Sequence, residues 1–186
     1  MKRIFVGLLL ILLIFTNCRR KSGNEVTLPL PDTTELPPCP PGTVPEFIFL
    51  PQKQNLDAEN IGIVYKESDP NIFYVNICGG NNVYGVTFDF DYDSSKLTLK
   101  NVTEGDFFRK DGIVTKFMRA NSQIVVTRIG QVSGASGDGT ICIIELEAEN
   151  KFDSLSIGFK NQRVTDRTLI EMLPANNWFG GVLSYK

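Results

Sequence analysis

The sequence of 186 residues predicts an all-β sandwich. Three observations point there. Val86-Thr87-Phe88-Asp89-Phe90-Asp91-Tyr92 alternates apolar and polar with period two, the mark of a strand with one buried face. Ile141 to Ala148 alternates as well, with Cys142, Ile144, Leu146 and Ala148 on one side and Glu145 and Glu147 on the other. No long stretch carries a helical period, and short apolar runs recur with turn signals between them.

The strand pattern starts at Phe47. Ile72 to Ile77 is rich in β-branched and aromatic residues and reads as a strand that ends where Asn81-Asn82 breaks the chain. Val86–Tyr92 follows, then Leu97 to Val102. Lys110-Asp111-Gly112 reads as a turn. Ile113 to Met118 and Gln123 to Ile129 read as a hairpin around Arg119-Ala120-Asn121-Ser122. Ser133 to Gly139 is a glycine-rich loop, where glycines permit positive φ in a tight crossover. After Ile141–Ala148, Leu155 to Phe159 and Phe179 to Tyr185 close the chain as strands.

Ahead of these strands stand two segments of different character. Met1-Lys2-Arg3 supplies positive charge, Ile4 to Phe15 is almost wholly apolar, and the run ends at Cys18. Crossing a bilayer takes about 20 apolar residues, so this run is short for a span. It reads as a secretory signal peptide, 1–17, with cleavage before Cys18 and lipid attached to that cysteine. Residues 18–45 then form a linker holding seven of the ten prolines, an extended and semi-rigid spacer. The sandwich is assigned to 46–186, a size that folds without staples. The expected location is extracytoplasmic, lipid-anchored to a bacterial membrane, at the outer membrane or cell surface.

Composition excludes several classes. The chain has 19 basic and 21 acidic residues; without Lys2 and Arg3 the mature part keeps 17 against 21, a formal −4. Arg19-Arg20-Lys21 is the only basic cluster, beside the expected lipid, so no nucleic-acid partner is expected. There is no histidine, which removes Ser-His-Asp and Cys-His catalysis and the commonest metal ligand. No CxxC pair occurs, so a zinc site is not expected. Cys142 lies in an apolar strand and reads as a buried inert thiol. A disulfide among Cys39, Cys78 and Cys142 stays open, with one cysteine left over. No catalytic residues, no metal and no cofactor beyond the lipid on Cys18 are expected.

Several segments together carry a family resemblance. Val83-Tyr84-Gly85-Val86-Thr87-Phe88-Asp89-Phe90-Asp91-Tyr92-Asp93-Ser94-Ser95-Lys96-Leu97 resembles the cohesin strand that ends in Tyr-Asp-Pro-x-x-Leu, with Ser94 in place of the proline. Val102-Thr103-Glu104-Gly105-Asp106-Phe107 is similar to the Val-x-x-Gly-Asp-Phe that follows it. Gly137-Asp138-Gly139-Thr140-Ile141 and Phe179-Gly180-Gly181-Val182 are similar to the family's later glycine motifs. The resemblance spans about residues 60 to 186 and implies a jelly-roll sandwich of about nine strands. It also implies a non-catalytic role, docking a dockerin-like module of another exported protein. In that family the dockerin lies across a sheet face. The positions carried over here are Gly85, Thr87, Asp89 and Asp91 on one strand, and Val126, Arg128 and Gln131 on a later one. Cohesins carry Asn or Asp where this chain has Gly85 and Thr87, which implies a divergent dockerin met through Asp89, Asp91, Arg128 and Gln131.

Other readings compete for the same residues. Asp89-Phe90-Asp91-Tyr92-Asp93 opens like a calcium loop, but Ser94 stands at the glycine position and Lys100 at the closing glutamate. The glycine-rich loop lacks the Lys-Ser/Thr ending of a phosphate loop. A polysaccharide partner is the main alternative, with Trp178 and Tyr84 as stacking aromatics beside Asn176 and Asn177. One tryptophan near a strand start is more often a core plug than a platform. A structural adhesion subunit is a third reading.

Overall fold

The computed structural model describes residues 47–69 and 71–186. The leader, Cys18, Cys39 and the proline-rich linker lie outside them. The described residues form eleven strands: β1 Phe47–Pro51, β2 Asn60–Tyr65, β3 Ile72–Val83, β4 Gly85–Asp91, β5 Leu97–Glu104, β6 Thr115–Ala120, β7 Gln123–Arg128, β8 Ala135–Ala148, β9 Leu155–Thr165, β10 Trp178–Phe179 and β11 Gly181–Tyr185. One sheet runs β1-β11-β9-β4-β7-β6 and the other β10-β2-β3-β8-β5. Their inner faces meet in one apolar core, an all-β jelly-roll sandwich.

The period-two patterns place that core. Val86, Phe88 and Phe90 on β4 are buried, while Thr87, Asp89 and Asp91 between them are half-exposed. On β8, Cys142, Ile144 and Leu146 are buried and Glu145 and Glu147 exposed. Trp178 closes the core between the sheets, its ring centroid 5.1 Å from Phe159 and 5.6 Å from Phe88. Cys142 is fully buried, and desolvation pushes its thiol well above the ordinary range. Cys78 and Cys142 are both free thiols.

Several elements differ from the sequence expectation, each for a local reason. Asn81-Asn82 does not break the chain: β3 continues to Val83. Asn82 takes a φ of 52°, and its backbone N–H and side-chain oxygen bond to Ser136 Oγ and the Gly134 N–H. Asparagine tolerates this left-handed conformation, so β3 runs on through irregular register instead of turning. The glycine-rich segment opposite is strand from Ala135 onward, with Gly137 facing Gly80. A Cβ on Gly134 would come within 2.2 Å of the Asn82 backbone, so glycine there serves close strand approach.

The hairpin between β6 and β7 turns in two residues, Asn121-Ser122, instead of four. β9 runs past Phe159 to Thr165, through a bulge at Asn161 with φ 50°. The run Phe179–Tyr185 is two strands. Phe179 pairs parallel with β2 in one sheet, while Gly181 pairs with β1 and β9 in the other. The switch falls at Gly180, where a Cβ would meet the Ile157 carbonyl oxygen at 2.1 Å. β1 and β2 had no individual signal, being short runs without clean alternation.

Candidate partner-binding face

On the outer face of the six-stranded sheet, β9, β4, β7 and β6 stand side by side. Period two sends Thr87, Asp89 and Asp91 of β4 outward. On β7 the outward phase is Gln123, Val125 and Thr127. Register then sets Lys116 beside Thr127 and Met118 beside Val125 on β6, and Arg163 beside Thr87 on β9. Among the described residues this antiparallel sheet is covered on one side only, which leaves the face open for recognition.

Its charges are largely spoken for. Lys160 Nζ lies 2.6 Å from Asp91. Asn161 donates to Asp89 at 2.7 Å. Arg163 lies 4.0 Å from Glu171. What stays open between them is a shallow trough of about 380 Å³, floored by Gly85, Thr87, Val125 and Thr127 and walled by Arg163 and Leu169. Gly85 keeps it open: a Cβ there would come within 3.3 Å of both the Thr127 and Thr165 hydroxyl oxygens.

Leu169 stands over the trough 73% exposed, next to an exposed Ile170. Asp166 holds that loop. Its Oδ1 accepts from the Thr168 N–H at 2.8 Å, the Thr168 hydroxyl at 2.8 Å and the Ile170 N–H at 3.0 Å. The Thr168 hydroxyl chiefly, with the two N–H groups, keeps the Asp166 carboxyl below its usual value. Two bulky apolar side chains are thus fixed in water at the rim, the arrangement expected of a contact anchor.

Two expected face residues sit elsewhere. Val126 and Arg128 belong to the inward phase of β7, with Ile124, and both are buried. Arg128, its side chain 2% exposed, bonds to the Ser133 carbonyl at 2.8 Å and to Asp111 at 3.2 Å. Its charge is neutralised under the sheet's end, so it is not presented to a partner. Gly85 shares the outward phase of Thr87, Asp89 and Asp91 and, having no side chain, forms the trough's floor. Gln131 is exposed in the loop after β7. The phase was readable: Gln123 and Thr127 are the polar pair that marks the outward side, and the charge of Arg128 masked it. Leu169 and Ile170 were missed, though Asp166 with Thr168 two residues on is an Asx-turn signal.

The residues considered for sugar stacking are placed apart from one another. Trp178 is 6% exposed and packed among core aromatics, so it offers no platform. Asn177 donates to the Glu59 carbonyl at 2.9 Å and Asn176 is exposed beside it. Tyr84 lies at the far end of β3, its hydroxyl donating to the Gly130 carbonyl at 2.6 Å. Asp93, the third aspartate of the calcium-like run, instead caps a turn by accepting from the Ser95 N–H and hydroxyl. Among the described residues no group of three or more His, Cys, Asp or Glu is placed to hold a metal.

No protein-family model matches the chain, and no curated protein matches it. Solved structures do. The sixth cohesin of scaffoldin B from Acetivibrio cellulolyticus, solved in complex with a Cel5 dockerin, is similar with a TM-score of 0.48 and 16% identity, over 62% of this chain and 92% of that one. A cohesin module from a Clostridium perfringens family 33 glycoside hydrolase gives 0.45 and 15%, over 76% and 96%. A non-cellulosomal cohesin from the archaeon Archaeoglobus fulgidus gives 0.43 and 14%, over 68% and 83%. All three are cohesin modules, the family whose motifs the sequence resembles.

Proposed function

We propose that the chain is a membrane-anchored extracytoplasmic lipoprotein whose sandwich, without doing chemistry, captures a dockerin-type module of another exported protein. Lipid on Cys18 would fix it to the membrane, the linker 18–45 would lift it, and the sheet face would recruit the partner to the cell surface. The partner class comes from the sequence resemblance. The observation that carries the reading is the trough: a flat sheet face whose charges, Lys116 apart, pair among themselves, leaving Val125, two threonines and a raised Leu169 uncovered. Such an apolar centre with a polar rim is the anatomy of a protein-docking surface. Thr87, Asp89 and Asp91 stay in the proposed contact set, with Gln131 at its edge, and Val125, Thr127 and Leu169 join it.

The test is capture by the full chain, immobilised in detergent and exposed to the exported proteins of its own organism. Proteins carrying dockerin-like calcium loops should be retained and released by chelation. A blank overturns the docking role. Asp91→Ala should weaken capture only about twofold, because its ion pair is exposed and such pairs contribute little. Labelled fatty acid should enter the wild type and not Cys18→Ser; equal incorporation removes the anchor from the reading.

A further inference from the structure

The opposite face of the sandwich carries a second concavity. On the outer side of the five-stranded sheet, two depressions of about 520 and 450 Å³ adjoin, sharing Asp106 and Thr140 as common lining. Period two sends Val64 of β2 and Tyr74 and Asn76 of β3 to this side, and Ile143 of β8 follows by register. The loop after β5 forms one wall, because Gly105 lets it lie flush on β8. A Cβ on Gly105 would come within 2.1 Å of the Thr140 carbonyl oxygen, and its own N–H donates to the Ile141 carbonyl.

The polar groups of this groove are held in place but only partly used. Asp106 Oδ1 accepts from the Thr140 N–H at 2.8 Å, and Asp138 Oδ1 from the Gly79 N–H at 2.7 Å. Asp138 also accepts from the Cys78 thiol, while Asp106 leaves its second carboxylate oxygen for a ligand. Asn76 Oδ1 accepts from the Thr140 hydroxyl at 2.9 Å, leaving the amide NH₂ free to donate. Lys110 is anchored on the Asp138 carbonyl. Arg109 lines the same wall, and no ion-pair partner for it occurs among the described residues. Glu104 Oε1 is buried at the groove with no hydrogen-bond partner. A buried acceptor left unsatisfied is costly unless something fills it.

We propose that this groove binds a neutral polyhydroxylated ligand, a saccharide chain. The chemistry of the lining selects that class. A phosphate needs donors alone and would face the carboxylates of Glu104, Asp106 and Asp138. A metal ion needs acceptors alone and would face Arg109 and Lys110. A sugar hydroxyl donates and accepts at once, so it can use both kinds of group side by side. The floor suits the other half of such a ligand. Val64 lines one depression and Ile143 the other, in one row across three strands, an apolar contact for the C–H face of a sugar ring. Carbohydrate recognition therefore belongs to this face and not to the buried Trp178.

The experiment is calorimetric titration of the full chain in detergent with cellohexaose, xylohexaose, mannohexaose and maltohexaose. At least one should bind, and Arg109→Ala and Glu104→Gln should each weaken it by roughly tenfold or more, the loss expected for one hydrogen bond to a charged group. Among the described residues the Arg109 side chain has no partner to lose, so that variant tests the site without disturbing the fold. Leu169→Asp, in the loop after β9 beside the other sheet, should leave the titration unchanged. Absence of binding by all four hexaoses overturns the proposal, as does binding indifferent to both groove variants. Neither result touches partner capture, which rests on the opposite sheet.

Discussion

The two outer faces of this sandwich are made from the same kind of strand and end up chemically opposite. On the six-stranded side, Asp91 meets Lys160, Asp89 meets Asn161 and Arg163 approaches Glu171, so most of the charges around the trough are paired. What remains to be contacted is apolar or hydroxyl-bearing: Val125, Thr127 and Leu169. On the five-stranded side, Asp106 accepts a backbone N–H and Asn76 accepts the Thr140 hydroxyl, and each leaves another polar atom unspent. The difference teaches that charge content alone does not define a recognition surface. What matters is how much hydrogen-bonding capacity the fold itself has already used. A face with its charges paired gains from burying apolar area, while a face with spare donors and acceptors gains from hydroxyls.

Both faces rest on one core, and the largest expected effect comes from breaking it. Trp178 packs against Phe88 and Phe159 between the sheets. Trp178→Ala should cost about 3–5 kcal/mol in chemical denaturation, the usual range for deleting a buried aromatic, and should weaken both faces together. Intact stability with a selective loss of sugar binding would instead put the indole at a surface, and the division between the faces would fall.

A smaller effect should separate the faces. Leu169 is exposed and held by a loop, so Leu169→Asp removes apolar contact and adds charge without touching the core. Partner capture should drop about thirtyfold, the loss of one anchor residue worth about 2 kcal/mol. Capture unchanged by Leu169→Asp would move the contact away from the trough, even if a dockerin-type partner is found.

Much of the sandwich was legible because burial imposes period two. β4 and β8 could be phased residue by residue, and the same phase named Thr87, Asp89 and Asp91 as outward. Legibility failed where the backbone departs from that period. Asn82, Asn161 and Gly137 all take positive φ within strands, and each sits in a stretch whose composition reads as loop. Arg128 failed for a different reason. Its charge suggests exposure, yet Ile124 and Val126 fix its phase inward, and the Ser133 carbonyl with Asp111 supplies the partners that make burial tolerable. The saccharide groove was out of reach for the sequence. Its walls come from β3, β8 and the loop after β5, and only the folded register brings Asn76, Thr140 and Asp106 together.

The smallest effect expected concerns pH, and it tests why Leu169 is presented at all. Asp166 is the acceptor that organises its loop, and bonding to the Thr168 hydroxyl and N–H and the Ile170 N–H holds its carboxyl below the usual value of 3.8. A depressed folded value means that the contribution is present above the unfolded value. It is lost only as pH falls through the lower folded one. The chain has no histidine, the side chain that ordinarily titrates between about pH 5 and 8. Capture should therefore be flat across that window and weaken only in strong acid, where Asp166 gains its proton and stops accepting. Asp166→Asn keeps an acceptor and should capture nearly as well as the wild type. Asp166→Ala should release the loop at every pH, seen as faster amide exchange at Thr168 and Ile170 with the core unchanged. Equal exchange in both variants would show that the loop is held by something other than this carboxylate, and the fixed Leu169 would lose its explanation.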